Sequence, residues 1–225
     1  MAAFRTHVTA GLLVGYAAGA FAELSRWTVE PFTPFAMFAA GFIGAFLPDM
    51  DSDSGKPFAI IFDLLAIVGG SIVYLHILSQ PPLPWYLWIA FPPLGALAIR
   101  YGVGWIFRKY TAHRGIFHSI PAALIVTFAA PFALRSFRLD DRDLFAIAVS
   151  IGLGYLSHLI LDEVYAFVNF EGLKIKPKKS FGTALSFAED SKAVTVIAYV
   201  ILAALAIIQW DWLLAVWQDA RLMLK

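Results

Sequence analysis

Runs of apolar residues about as long as a bilayer is thick recur along this 225-residue chain, and they restrict its fold more than any other feature. A helix rising about 1.5 Å per residue needs about 20 such residues to cross a hydrocarbon core of about 30 Å. Seven apolar segments can be marked, roughly 8–24, 34–48, 58–79, 84–107, 117–135, 144–168 and 193–217. Pro31 and Pro34 separate the first two, and Pro48 with the acidic run Asp49 to Pro57 ends the second. Gln80-Pro81-Pro82, Arg108-Lys109-Tyr110 and the charged stretch Arg135 to Asp143 close the next three. Pro92-Pro93 predicts a kink in the fourth. The first run outlasts the apolar core of a signal peptide, so it reads as a membrane helix. With 60% hydrophobic and 15% charged residues, the chain is too apolar for a soluble domain of this size. The expected fold is all-α: a polytopic transmembrane helix bundle of about six to seven spans, forming one integral membrane domain over residues 1–225.

Alternating the segments across the bilayer puts the N-terminus and the loops near 49–57, 108–116 and 169–192 on one side. That side collects Arg5, Lys56, Arg108, Lys109, Arg114, Lys174, Lys176, Lys178, Lys179 and Lys192. The opposite side carries Arg26, Arg135, Arg138, Arg142, Arg221 and Lys225. The excess of Lys and Arg makes the N-terminal side cytoplasmic. A net charge of +1 without a basic face gives no reason to expect nucleic acid as a partner. The lipid bilayer is the one partner the composition requires, and oligomeric state is not legible.

Four of the five histidines, and the most unusual acids, fall near that same side. His7 opens the first segment, Asp49, Asp51 and Asp53 follow the second, and His113 and His118 precede and open the fifth. His158 and Asp162 lie in the sixth, one helical turn apart and therefore on one face. With no cysteine in the chain, a metal would have to be held by imidazole and carboxylate. The candidate metal ligands are His7, Asp49, Asp51, His113, His118, His158 and Asp162. Such a donor set suits a divalent ion, zinc or manganese first. Within it Asp51, His118 and His158 are the candidates for catalysis. Each piece also has a plainer reading: the Asp turn as a solvated helix cap, His113 and His118 as interfacial residues. A calcium loop is excluded, because Ile60 stands where its bidentate Glu belongs. Asp63 and Arg100 lie at similar depth in the third and fourth segments, which predicts an ion pair, with Arg100 facing an anionic headgroup as the alternative. Glu163 points about a third of a turn away from Asp162 and is a weaker ligand candidate, and His76 near the other face reads as structural.

These residues also carry a family resemblance. His7, Leu47-Pro48-Asp49-Met50-Asp51, His113-Arg114-Gly115-Ile116-Phe117-His118-Ser119 and Gly154-Tyr155-Leu156-Ser157-His158-Leu159-Ile160-Leu161-Asp162 together resemble the YdjM/YbcI-type inner-membrane proteins. The resemblance runs from residue 7 to about 187. It implies a membrane-bound, metal-dependent hydrolase in a bacterial inner membrane. The chain departs from the family's usual continuation after the Leu-Asp motif, reading Asp162-Glu163-Val164-Tyr165 and then Lys178-Lys179-Ser180-Phe181-Gly182. That marks a separate subgroup.

A hydrolase with its site at the interface would suit an amphiphilic substrate, a lipid phosphate ester or phosphodiester, drawn by the basic segment Lys174 to Lys179. No Gly-x-Ser-x-Gly elbow and no thiol are present, which disfavours a serine or cysteine nucleophile. Ser119 and Ser157, next to histidines, are expected to donate hydrogen bonds to the ligands. A divalent-ion or proton-coupled transporter is the second class, but it would need polar residues through both halves of the membrane. A non-catalytic scaffold, with metal as a staple between helices, is the third.

Overall fold

The computed structural model describes residues 3–51, 56–78, 84–106, 116–169, 174–175, 182, 184–188 and 191–223. Its regular structure is helical apart from a two-residue antiparallel pair, Val168–Asn169 with Lys174–Ile175. The helices are α1 (Phe4–Leu24), α2 (Thr33–Gly44), α3 (Lys56–Leu78), α4 (Trp85–Leu97), α5 (Ile120–Leu134), α6 (Asp141–Phe167), α7 (Lys192–Ile208) and α8 (Trp210–Met223). Four stretches among the described residues are long and apolar enough to cross a membrane: Phe4–Leu24, Phe58–Leu78, Trp85–Ile106 and Asp141–Phe167. The pair α7 and α8, bent by 59° at Gln209, makes a fifth if it counts as one span. The protein is thus an all-α polytopic membrane protein with four to five candidate spans among its described residues, and the six to seven expected are not confirmed. Helices α2 and α5, at 12 and 15 residues, are shorter than the ~20 residues a crossing needs. Proline sits in the first turn of each, where its missing N–H costs nothing, and marks where each one starts.

Contacts divide the chain into two units, residues 1–48 with 115–225 and residues 49–114. In the second unit α3 packs on α4, and Pro92 and Pro93 lie within α4 without ending it. Beyond α4 the backbone widens into a π-helical turn at Ala98–Val103. Arg100, in that turn, forms the expected ion pair with Asp63 and lies 5.7 Å from the ring centre of Phe58. The pair is not sealed from its surroundings: the Asp63 side chain is 59% exposed.

The first unit is built on close contact of α1, α2 and α6. A stripe of small residues at four-residue spacing, Gly11, Gly15 and Gly19, is buried along α1 below His7. A methyl on Gly15 would lie 2.8 Å from the Met37 carbonyl oxygen on α2, so only hydrogen lets the two backbones come this near. Gly154 on α6 meets the Gly41 carbonyl, and Gly44 on α2 meets the Ile151 carbonyl, more closely still. Gly44→Ala is accordingly expected to force α2 from α6 and cost about 1–3 kcal/mol, the usual penalty of overpacking. Thermal unfolding in detergent reads this, and an unchanged midpoint would contradict so close an approach.

One stripe of α6 fastens the α1–α2 hairpin by polar rungs. Asp143 accepts hydrogen bonds from the Val29 and Glu30 amides at 2.9 and 3.0 Å. Two turns on, Ser150 donates to the Met37 carbonyl at 2.6 Å. After two more turns His158 meets the Ala45 carbonyl at 2.8 Å. All three side chains are completely buried, where an unpaired polar group would cost about 1–3 kcal/mol. Their spacing follows the helical repeat, so a single face of α6 sets the register of the hairpin and carries His158 into position.

Candidate metal centre

Four of the residues singled out in the sequence meet in the first unit. His7 enters from the first turns of α1, His158 and Asp162 from α6, and His118 from the turn that precedes α5. Each is 5% exposed or less. The Asp162 carboxylate is the centre of the group: it lies 3.1 Å from His7 Nε2, 3.8 Å from His158 Nε2 and 3.9 Å from His118 Nε2. His7 and His158 stack with ring centres 3.7 Å apart and planes at 13°, and His118 stands edge-on to His158 at 5.5 Å.

Two of the three histidines are held from outside the cluster, His158 through its ring and His118 through its backbone. The Ala45 carbonyl can only accept, so His158 Nδ1 carries the proton and donates it there. A neutral His158 then turns the lone pair of Nε2 towards the Asp162 carboxylate. Two electron-rich atoms facing one another in a buried place are stabilised by a cation between them. His118 is held through its backbone. Ser119 caps α5 by accepting from the Ala122 amide at 3.3 Å, Tyr155 donates its hydroxyl to the Phe117 carbonyl, and Ser186 Oγ donates to the His118 carbonyl at 3.3 Å. The Ile120 amide donates in turn to the Ser186 carbonyl at 2.9 Å.

The donor set fits a metal ion. His7, His158 and Asp162 each offer one ligand atom, all within 4.8 Å of one another. Two donors about 2.0–2.1 Å from a tetrahedral ion lie about 3.3 Å apart, and the carboxylate-to-imidazole separations of 3.1 to 3.9 Å bracket that value. Among the described residues His7 Nδ1 is buried without a hydrogen-bond partner, a cost that structural packing alone gives no reason to keep.

Asp49 lies on the 3₁₀ turn Leu47–Asp51 and belongs to the second unit. His113 and the side chain of Asp51 are outside the described residues, as is most of the basic segment Lys174 to Lys179. Ser157 does not serve the ligands: it donates to the Gly154 carbonyl of its own helix at 2.7 Å. Ser119 acts through the helix cap and the Ile116 carbonyl, rather than through a ring. Glu163 instead accepts from the backbone amides of Gly182 and Ala184. Tyr155, completely buried three residues before His158, was not singled out in the sequence, although that spacing puts it on the same side of α6.

A family model described as YdjM inner membrane protein matches residues 1–217 of the chain. No curated protein and no solved structure matches it.

Proposed function

Because the chain belongs to the YdjM inner membrane protein family, we propose that its buried His/Asp cluster is the metal site of a membrane-bound hydrolase. The observation that carries this reading is the approach of three imidazoles to one carboxylate, with the His158 proton committed to Ala45 and its lone pair turned inward. Zinc or manganese suits the donors, and either supplies a polarised, more acidic water at neutral pH when bound. His7, His158 and Asp162 are the holding residues. His118, farthest of the three rings from the carboxylate, is placed to move a proton between the site and a substrate. Asp49 and Asp51 follow Pro48 directly in the chain and are further ligand candidates. The Lys/Arg excess argues for a cytoplasmic N-terminus and a site opening to that side.

A site among apolar helices favours an amphiphilic substrate, and a phosphate ester or phosphodiester of a lipid matches the charge of the metal and of the basic loop. The test is release of phosphate or headgroup from phosphatidic acid and phosphatidylglycerol vesicles by purified protein loaded with zinc or manganese. Metal-dependent release that falls about 100-fold or more in His118→Ala, with metal still bound, is the expected result. Equal release by wild type and variant would remove His118 from the chemistry, and no release from either lipid would remove this substrate class.

A further inference from the structure

Glu163 sits one residue beyond Asp162, yet it points away from the cluster and grips a different part of the chain. Its two carboxylate oxygens accept from the Gly182 amide and, at 3.3 Å, from the Ala184 amide. Gly182 has φ of +86°, a backbone conformation that a side chain would strain, and among the described residues nothing lies within 4 Å of where a Cβ would be. Glycine is therefore required there for the conformation of the turn and not for space. Two residues after Ala184 comes Ser186, which pairs with Ser119 in an isolated parallel bridge. Through that bridge Ser186 takes the Ile120 amide at 2.9 Å and gives its hydroxyl proton to the His118 carbonyl at 3.3 Å.

From this chain of contacts we infer that Glu163 is a positioning residue that sets His118 against Asp162 through Gly182, Ala184 and Ser186. The inference rests on the metal-site reading above and extends it to a residue outside the cluster. Asp162 and Glu163 are neighbours on one rigid helix, so the carboxylate at the site and the carboxylate that holds the segment move together. His118, which precedes its helix, gets its place from this tether, the Ser119 cap and Tyr155. A charged acceptor is suited to the task because a carboxylate takes two amides at once and binds them more strongly than a neutral oxygen does.

Two variants break the tether by independent means: Glu163→Ala removes the acceptor, and Gly182→Ala disfavours the turn. Hydrogen exchange of the peptide covering 116–124 reads the tether itself, and titration with cobalt(II) alone, followed by its ligand-field spectrum, reads the site. Both variants are expected to lose protection at the Ile120 amide, to bind cobalt about 10–100-fold more weakly and to shift its spectrum. Glu163→Gln, which keeps one acceptor oxygen, is expected to recover part of the affinity. A merely destabilised bundle would weaken binding without changing the spectrum. Cobalt binding and spectrum equal to wild type in Glu163→Ala would overturn the inference and leave the metal site standing. A wild type that binds no cobalt would overturn the metal-site reading, and this inference with it.

Discussion

Replacing His158 with alanine is expected to empty the metal site and to abolish metal-dependent hydrolysis, while the helices stay folded. The ring supplies a donor 3.8 Å from the Asp162 carboxylate and also closes the last polar rung between α6 and the hairpin at the Ala45 carbonyl. Removing a residue that only orients a ligand typically costs about 10–100-fold in metal affinity. His158 is both oriented and orienting, so the loss should exceed that range. The orphaned Ala45 carbonyl adds a penalty of about 1–3 kcal/mol. That is less than the stability typical of a folded domain, so helix content should persist. Metal analysis of the purified variant beside its circular dichroism spectrum separates the two effects. Full metal occupancy in the variant would place the site elsewhere.

Asp162→Asn should change how the protein responds to metal removal. In the wild type, one buried carboxylate faces three imidazoles within 3.9 Å, and a metal held there would stabilise the fold by mass action. That contribution is about 2.7 kcal/mol at a free metal concentration 100 times Kd. Chelation should therefore lower the wild-type unfolding midpoint by about 5–10 °C. The asparagine keeps the shape and removes the charge, so the metal is lost and chelation should have almost nothing to remove. A chelation response of wild-type size in Asp162→Asn would mean that the carboxylate is not a ligand.

The convergence of His7, His118, His158 and Asp162 was legible because it needed only the direction of each helix and the four-residue spacing on α6. The pairing of Asp63 with Arg100 followed from depth alone. Span number was less legible. Hydropathy marks an apolar run whether or not it is all one helix, and α2 gives way to the turn Leu47–Asp51 before the run 34–48 is complete. The closeness of α1, α2 and α6 depends on where glycines face one another, which pattern within one segment does not reveal. Glu163 was weighed only as a ligand. Its partners are backbone amides 19 and 21 residues away, and an amide leaves no mark in a side-chain pattern. Tyr155 and Ser186 act through the carbonyls of Phe117 and His118, and the same reason hid them.

The most direct test of the metal-centre reading is the metal content of detergent-purified wild-type protein, loaded with zinc or manganese and then freed of unbound ion by gel filtration. About one tightly held ion per chain is the result expected for a buried site held by His7, His158 and Asp162. A well-folded protein that retains no ion after loading would contradict it, and the cluster would then be a polar network joining α1, α5 and α6.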